Sequence, residues 1–390
     1  MTVWDELVGQ PHVIKVLRRA VGGQGMTHTW LFTGPPGSGR SNAAIAFAAA
    51  LQCERTADAG GAAGGCGECH ACRTVLARTH ADVTVVRTEK LSIGVDDVRE
   101  LVRRAALAPI GARWQVLVVE DADRLTDQAC NALLKAIEEP TDRTVWLLCA
   151  PTTEDVLPTI RSRCRHLALT TPTAADVAAF LVRRDGVTEA LAAYAARASQ
   201  GHIGRARALA RDEDTRNRRR EVVGLPSRLT SIGACMTAAA NLVETTQEES
   251  AAITTDLDAR EKADLDTAYG VFERGRRPRE YAPAVAALER GQKTRAKRRH
   301  LDVVDRGLMD LVSVYRDAIA LATRATTALV NEEMRGEITE LARRTSPDDN
   351  LRRIDTIFAA REQMLEFNVQ PALALEAMMM GLRLDKGGDR

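Results

Sequence analysis

A glycine-rich loop between an apolar stretch and an Ala-rich stretch constrains the fold of this chain more than any other feature. The loop reads Gly34-Pro35-Pro36-Gly37-Ser38-Gly39-Arg40-Ser41, after Trp30–Thr33 and before Asn42–Leu51. A strand, a Gly-rich loop and a helix start form the setting in which backbone N–H groups surround a phosphate. The alternative is a Gly/Pro loop that only begins a helix. The predicted nucleotide-binding residues here are Gly34, Gly37, Gly39, Arg40 and Ser41.

The first 170 residues alternate between strand-length and helical patterns. Short segments rich in β-branched residues occur at Val83–Val86, Val116–Val119 and Thr144–Cys149. Apolar residues at helical spacing occur in Val95–Ala105 and in the segment from Thr126 to Pro140. Strands that alternate with helices imply βαβ units and a parallel sheet with helices on both faces. We therefore predict an α/β domain over residues 1–170.

The strand pattern disappears after residue 170. Residues 171–212 read as a small helical unit, and residues 213–390 as a larger helical domain that includes the apolar stripe Leu301–Ile319. The charge-dense segment Arg211–Arg220 reads as a solvated helix surface or a linker. The predicted fold class is thus α/β followed by all-α, in three domains.

Composition narrows the range of functions. The 390 residues carry 54 Lys+Arg against 53 Asp+Glu, a net charge of +1, so any nucleic-acid contact must be local. Only seven of the basic residues are Lys, a skew typical of an Arg-rich genome. The longest apolar run, Ala43–Leu51, falls short of the roughly 18 residues that a membrane span requires, and no signal-peptide pattern is present. We expect a cytoplasmic protein.

Two departures from a hydrolytic nucleotide site stand out. Arg40 occupies the position of the phosphate-loop Lys, and the planar guanidinium does not replace an ammonium conservatively. Glu120 and Asp121 follow the apolar stretch Val116–Val119, where a metal-holding carboxylate is expected, but a working motor usually has Asp before Glu. A solvated acidic turn is the alternative for this pair. We predict weak or absent hydrolysis, with ATP and Mg²⁺ binding still possible.

Four cysteines have the spacing of a metal site. Cys53, Cys66, Cys69 and Cys72 are separated by twelve, two and two residues, which suits closed tetrahedral coordination of structural Zn²⁺. Two other interpretations have less support: His70 could replace one cysteine, or one Cys-x-x-Cys pair could serve redox chemistry. The Gly/Ala run Gly60–Gly65 lengthens the first gap.

Further motifs carry a family resemblance. Leu133-Leu134-Lys135-Ala136-Ile137-Glu138-Glu139-Pro140 and Ser162-Arg163-Cys164, with Val8-Gly9-Gln10 in support, resemble the AAA+ clamp-loader family of bacterial DNA polymerase III. The resemblance implies an AAA+ P-loop domain with a zinc module (residues 53–72), a helical lid and a C-terminal helical collar. It implies that Arg163 is an arginine finger acting in trans and that Arg205 is a second sensor of nucleotide. A basic surface turn is the alternative for Arg163.

The resemblance also implies partners. They are the motor subunits (gamma/tau-like) and a delta-like subunit in a hetero-oligomer, the sliding clamp, and primed DNA through the assembled complex. Three departures from the family pattern favour a stationary member that completes a neighbour's ATP site: Arg40, the Glu120–Asp121 order and Pro151 at a sensor position. Its own ATPase would then be weak or absent, and it has no polymerase site. The alternatives are an ATP-hydrolysing gamma/tau-like motor with an Arg-variant loop and, with less support, a related helicase motor.

Two basic stretches, Lys293–His300 and Arg274–Arg279, have the charge to meet phosphates. Few aromatic residues that could stack on bases accompany them, since aromatic residues make up only 4% of the chain. We therefore favour a solvated helix face for both stretches.

Overall fold

The computed structural model describes residues 2–55, 64–88, 92–111, 113–271 and 278–384, apart from the side chain of Ile253. The chain divides into two compact units, Met1–Arg211 and Asp212–Arg390. The predicted zinc module falls partly outside the described residues, as do Arg274–Arg277 of one basic stretch. The three-domain division stays a prediction.

A five-stranded parallel sheet forms the centre of the first unit. Its strands are β1 (Thr29–Thr33), β2 (Val83–Val86), β3 (Gln115–Val119), β4 (Thr144–Ala150) and β5 (Arg165–Ala168). They lie in the order β2-β3-β4-β1-β5, so β1 pairs with two strands that come much later in the chain. In an open parallel sheet, ligands bind beyond the carboxyl ends of the strands where the strand order reverses. This topology places the end of β1 at such a point.

Four strands follow from the sequence and β5 does not. Burial explains β1, β3 and β4, whereas the edge strand β2, in which only Val83 is buried, is recognised by its four β-branched residues. Every residue of β1, β3 and β4 is buried, and strands covered on both faces read as continuous apolar runs. In β5 only Leu167 is buried, because this strand lies at the sheet edge and exposes Arg165 and His166. A half-exposed edge strand with two charged or polar residues lacks the pattern that identified the others.

Helices account for most of the rest of the first unit. They are α1 (Pro11–Val21), α2 (Arg40–Gln52), α3 (His70–Leu76), α4 (Val95–Ala105), α5 (Asp127–Glu138), α6 (Pro158–Arg161), α7 (Ala174–Asp185), α8 (Glu189–Ala198) and α9 (Ile203–Arg211), with 3₁₀ turns at Val3–Glu6 and Ala122–Arg124. The last three pack around their own apolar cluster, which includes Val177, Phe180 and Leu209. Thr173 begins α7 with a capping box, its hydroxyl accepting from the N–H of Asp176.

The second unit is helical throughout its described residues. It comprises α10 (Glu213–Val223), α11 (Ile232–Ala268), α12 (Tyr281–Ala322), α13 (Arg335–Arg344), α14 (Pro347–Leu365) and α15 (Pro371–Leu382), with 3₁₀ turns at Leu225–Ser227 and Glu332–Met334. The predicted fold class, α/β followed by all-α, is confirmed. In the part of the chain that the structure describes, no helix is both long and apolar enough to cross a membrane.

One basic stretch lies on the long helix α12 and is only partly solvated. Arg295 is 6% exposed and pairs with two carboxylates of α11: its Nη1 donates to Glu261 Oε1 at 2.7 Å, and its Nη2 contacts Asp258. Lys297 Nζ donates to Asn368 Oδ1 at 2.7 Å. The solvated-face interpretation is therefore wrong for Arg295, which joins α11 to α12.

A buried polar network fixes α10 to the rest of the second unit. Arg219 is 4% exposed; its Nε donates to Asp310 Oδ1 at 3.1 Å and its Nη1 to Glu333 Oε1 at 3.1 Å. Asn331, which is fully buried, accepts from the same guanidinium and donates to Asp317 Oδ2 at 3.0 Å. The segment Arg211–Arg220 is therefore not a linker, since most of it is helix and it contributes one buried ion pair.

We expect Arg219→Met to lower the free energy of unfolding by about 3–5 kcal/mol, because it leaves the buried Asp310 carboxylate without its cation. Arg220→Met is the matched control: Arg220 is exposed, so its loss should change stability by less than about 0.5 kcal/mol. Denaturant titration followed by circular dichroism measures both variants. Equal losses for the two would contradict the buried network.

Candidate functional site

The glycine-rich loop leaves the sheet between the ends of two neighbouring strands. The N–H of Gly34 donates to the carbonyl of Pro151, just beyond β4, at 3.0 Å. A Cβ at Gly34 would lie 2.6 Å from the carbonyl oxygen of Leu169, which follows β5. Only glycine fits a backbone held this closely between β4 and β5, so the loop position is fixed by the sheet.

The body of the loop turns through two residues with left-handed backbone. Gly37 and Gly39 have φ of +85° and +92°, and Gly39 directly precedes α2. The hydroxyl of Ser38 is buried among the described residues without a hydrogen-bond partner. A buried donor without a partner is costly in a loop that serves only to begin a helix. The loop therefore fits an additional polar ligand such as a phosphate.

Arg40 turns back onto its own loop. Its Nη1 donates to the carbonyl of Gly34, and the side chain is half-buried. Ser41 follows as the second residue of α2. The guanidinium thus braces the glycine turn, in contrast to an ammonium that projects toward phosphates.

Glu120, which directly follows β3, forms ion pairs with two arginines. Its side chain is 6% exposed, and its Oε1 accepts from Arg78 Nη2 at 2.8 Å, while Arg87 Nε lies 3.9 Å from Oε2. Burial raises the pKa of this carboxyl, and the two arginines oppose the rise. Arg78 has left-handed backbone (φ +61°), which is uncommon for a residue with a side chain. The backbone is thus held in an uncommon conformation where this ion pair forms.

The acids and Arg40 surround the end of β4. The pKa of the fully buried Cys149 thiol is raised by burial and further by the nearby Glu120, Asp121 and Asp123, whereas Arg40 lowers it. Burial likewise raises the pKa of Asp123, against the opposing charge of Arg40. The structure therefore brings the loop cation and the predicted metal-binding acids to one end of the sheet.

The turn before α9 meets the same loop. A Cβ at Gly37 would lie 2.7 Å from the Cα of His202, which directly precedes α9. Arg205 is half-buried in the first turn of α9, and its N–H donates to His202 Nδ1 at 3.2 Å. The start of α9 thus reaches the phosphate loop, which is where a sensor arginine would be needed.

Gln10 joins the loop to the segment that follows β5. Its Nε2 donates to the carbonyls of Thr170 at 2.6 Å and Ser38 at 3.4 Å, and its Oε1 accepts from Thr170 N–H at 3.3 Å. Gln10 is 4% exposed. The Val8-Gly9-Gln10 motif therefore holds the loop and the segment after β5 together.

Arg163 lies on the surface beside α5. Its Nη2 is 2.5 Å from Glu138 Oε1, and its Nη1 donates to the carbonyl of Thr159 at 2.7 Å. Cys164, the next residue, is part-buried; its thiol donates to the carbonyl of Ile160 at 3.2 Å, and burial raises its pKa to about 12. The cysteine anchors this turn in the core while the arginine is presented to solvent.

The four predicted cysteine ligands come together. The sulfurs of Cys53, Cys66, Cys69 and Cys72 all lie within 4.8 Å of one another. Backbone N–H groups point at the sulfurs: Cys69 N–H donates to Cys66 Sγ at 3.3 Å, and Cys72 N–H donates to Cys69 Sγ at 3.4 Å. All eight cysteines lie in the described residues, and none forms a disulfide. The cluster fits a single metal ion.

The sulfur environments differ within the cluster. Burial raises the pKa of Cys66, but N–H groups of Glu68 and Cys69 outweigh it and bring the value down to about 7. Burial dominates at Cys72 and raises its pKa well above the ordinary range. A metal ion binds thiolates, so it would supply the charge that stabilises the deprotonated form of Cys72.

Sequence reasoning left several contributors at this site unnamed. Arg78 and Arg87, which pair with Glu120, lie more than 30 residues before it and belong to no recognisable motif. His202 lies in a glycine-flanked turn, but nothing in the sequence indicates that it contacts the loop. Ser38 lies inside the recognised loop, but the burial of its hydroxyl depends on how the sheet ends pack and could not be predicted from the motif. The predicted roles of the site residues stay predictions.

Part of the first unit is similar in sequence to known proteins. Residues 9–173 match the family described as DNA polymerase III, delta subunit. A segment of 159 residues is 42% identical to DNA polymerase III subunit delta' of Pseudomonas aeruginosa, covering 40% of this chain and 47% of that protein. The corresponding match to subunit delta' of Bacillus subtilis is 30% identical over 164 residues, covering 42% of this chain and 49% of that protein.

A second kind of relative matches equally well. DNA polymerase III subunit gamma/tau of Mycobacterium tuberculosis is 38% identical over 162 residues, which is 41% of this chain and 27% of that protein. The chain therefore spans between about a quarter and a half of these relatives. The resemblance to DNA polymerase III subunits is confirmed for the matched region, while the choice between the two kinds of subunit is not decided by similarity.

Proposed function

We propose, from the relationship of residues 9–173 to DNA polymerase III subunits, that the chain is a delta-prime (stator) subunit of a bacterial sliding-clamp loader. In this role it donates Arg163 to ATP held by a neighbouring motor subunit during DNA replication. Its other partners are a delta-like subunit, the sliding clamp and, through the assembled complex, primed DNA.

The ion pair between Glu120 and Arg78 is the main observation in favour of the stator assignment. A carboxylate that activates water or holds Mg²⁺ must face the nucleotide. Glu120 is instead buried against Arg78 at 2.8 Å, and Arg40 is bonded to the carbonyl of Gly34. Glu120 and Arg40, two of the groups that hydrolysis would use, thus have partners within the protein, which supports a site that binds ATP and Mg²⁺ weakly or without turnover.

The placement of Arg163 supports its role in trans. Its side chain is 40% exposed at the end of a short helix anchored by Cys164. A guanidinium that neutralises charge on a transferring phosphoryl group accelerates the reaction by about 10³–10⁵. An exposed arginine on an anchored turn has the geometry needed to enter a neighbour's site.

An apolar surface on the second unit supports assembly. Leu351, Phe358 and Leu365 repeat every seven residues along α14, and Leu373 and Met380 do so along α15, which packs beside it. These five side chains are between 36% and 60% exposed. Contiguous exposed apolar side chains mark interaction surfaces. They are the contacts that a collar domain needs to join its neighbours.

The cysteine cluster suits structural Zn²⁺. Four cysteines in closed coordination leave no open position for substrate. The cluster joins the end of α2, which starts at the phosphate loop, to α3, whose C-terminal side leads to Arg78. The metal would therefore stabilise the helices that carry the loop and the partner of Glu120.

A gamma/tau-like motor is the second candidate, favoured by the 38% identity to the Mycobacterium tuberculosis subunit. In that case the Arg40 loop supports turnover and Glu120 must leave Arg78 in the active state. Both candidates place the chain in the same assembly, and they differ in which ATP site is hydrolytic.

We expect one Zn per chain by elemental analysis, and its loss in Cys66→Ser, which removes one of four ligands. Cys235→Ser is the control, since Cys235 lies in the second unit and should leave the zinc content unchanged. A fully folded wild-type protein that contains no metal would refute the zinc assignment.

We expect Arg163→Ala to lower the DNA-stimulated ATPase of the reconstituted loader by about 10³, the lower end of the effect of an arginine finger. Arg163→Lys should also fail, because the ammonium lacks the guanidinium fork. The control Arg183→Ala removes another exposed arginine and should leave the rate unchanged. A normal rate with Arg163→Ala would exclude the role in trans.

A further inference from the structure

The two most distinctive sequence motifs of the chain meet in one ion pair. Glu138 is the last residue of α5, within the Leu133–Pro140 motif, and Arg163 belongs to the Ser162–Cys164 motif. Glu138 Oε1 lies 2.5 Å from Arg163 Nη2. The residues are 25 positions apart in sequence, so neither motif predicts the contact by itself.

This pair contributes little to stability. The side chains of Arg163 and Glu138 are 40% and 45% exposed, and solvent screens an ion pair at such a position. What the contact does determine is orientation. A free arginine side chain samples many rotamers, and a bidentate or multiply bonded guanidinium samples few.

The contacts fix the guanidinium on three sides and leave part of it available. Arg163 Nη1 bonds to the Thr159 carbonyl at 2.7 Å and to Ser162 Oγ at 3.2 Å, while Nη2 faces Glu138. A guanidinium has five N–H groups, so these contacts leave the Nε–H and one Nη2–H for a phosphate.

The support for Glu138 is rigid. Leu133 and Ile137 bury the inner face of α5 in the sheet core, and Thr126 caps its start, accepting from Ala129 N–H at 3.3 Å. A helix of twelve residues is about 18 Å long. The backbone at Glu138 is therefore positioned by a packed helix, and its side chain needs to reach only as far as Arg163.

We propose that Glu138 is a positioning residue for the arginine finger. It holds the Arg163 guanidinium in the orientation in which its remaining N–H groups meet the γ-phosphate on the neighbouring subunit. Glu138 acts through Arg163 and takes no part in the chemical step itself. This inference rests on the proposed trans role of Arg163.

The test uses the reconstituted loader with Glu138→Ala. We expect kcat of the DNA-stimulated ATPase to fall about three- to tenfold, the cost of ordering one free side chain during the reaction. KM for ATP should be unchanged, because the finger acts in the transition state. Glu138→Gln keeps an acceptor oxygen and should retain most of the rate.

Glu139→Ala is the matched control, an exposed carboxylate one position further that should leave kcat unchanged. The double variant Glu138→Ala/Arg163→Ala should be no slower than Arg163→Ala alone, because Glu138 acts only through Arg163. An unchanged or increased kcat in Glu138→Ala, or a further loss in the double variant, would overturn the inference. If Arg163→Ala itself has no effect, the proposed function fails and this inference fails with it.

Discussion

The burial of β1 between β4 and β5 is the constraint on which the candidate site depends. Because β1 is covered on both faces and paired on both edges, its end is fixed, and the loop that follows must pass between Pro151 and Leu169. That passage requires glycine at position 34 and sets where Ser38 and Arg40 lie. The same sheet end carries Glu120 and Asp121 after β3. A sequence of this kind therefore keeps the architecture of a nucleotide site whether or not it hydrolyses nucleotide.

Two charged groups at this sheet end have partners within the protein. Arg40 braces the carbonyl of Gly34, and Glu120 pairs with Arg78. Arg78 follows α3, the helix that contributes Cys72 to the cysteine cluster, so the candidate metal site and the acid at the end of β3 are linked through one short helix. Such an arrangement favours rigidity over turnover. Arg163, although paired with Glu138, is 40% exposed on an anchored turn.

Local sequence motifs predict the features that depend on a few neighbouring residues. Local patterns predict the phosphate loop, the cysteine cluster and four of the five strands. Glycine turns, ligand spacing and runs of apolar or β-branched residues each leave a signature within a few residues. Contacts between distant segments leave none. The pairing of Arg78 with Glu120, the burial of Arg219 and the contact of Arg295 with Glu261 each join residues at least 34 positions apart. An arginine that looks solvated in sequence thus becomes a buried partner once the chain folds.

ATP turnover by the isolated chain tests the central claim most directly, because a stator completes a neighbour's site and does not operate its own. Steady-state phosphate release should be no greater for the wild-type chain than for Arg40→Ala at the same concentration, with ATP and Mg²⁺ in excess. Robust turnover by the isolated wild-type chain that Arg40→Ala abolishes would contradict the account and identify the chain as a motor.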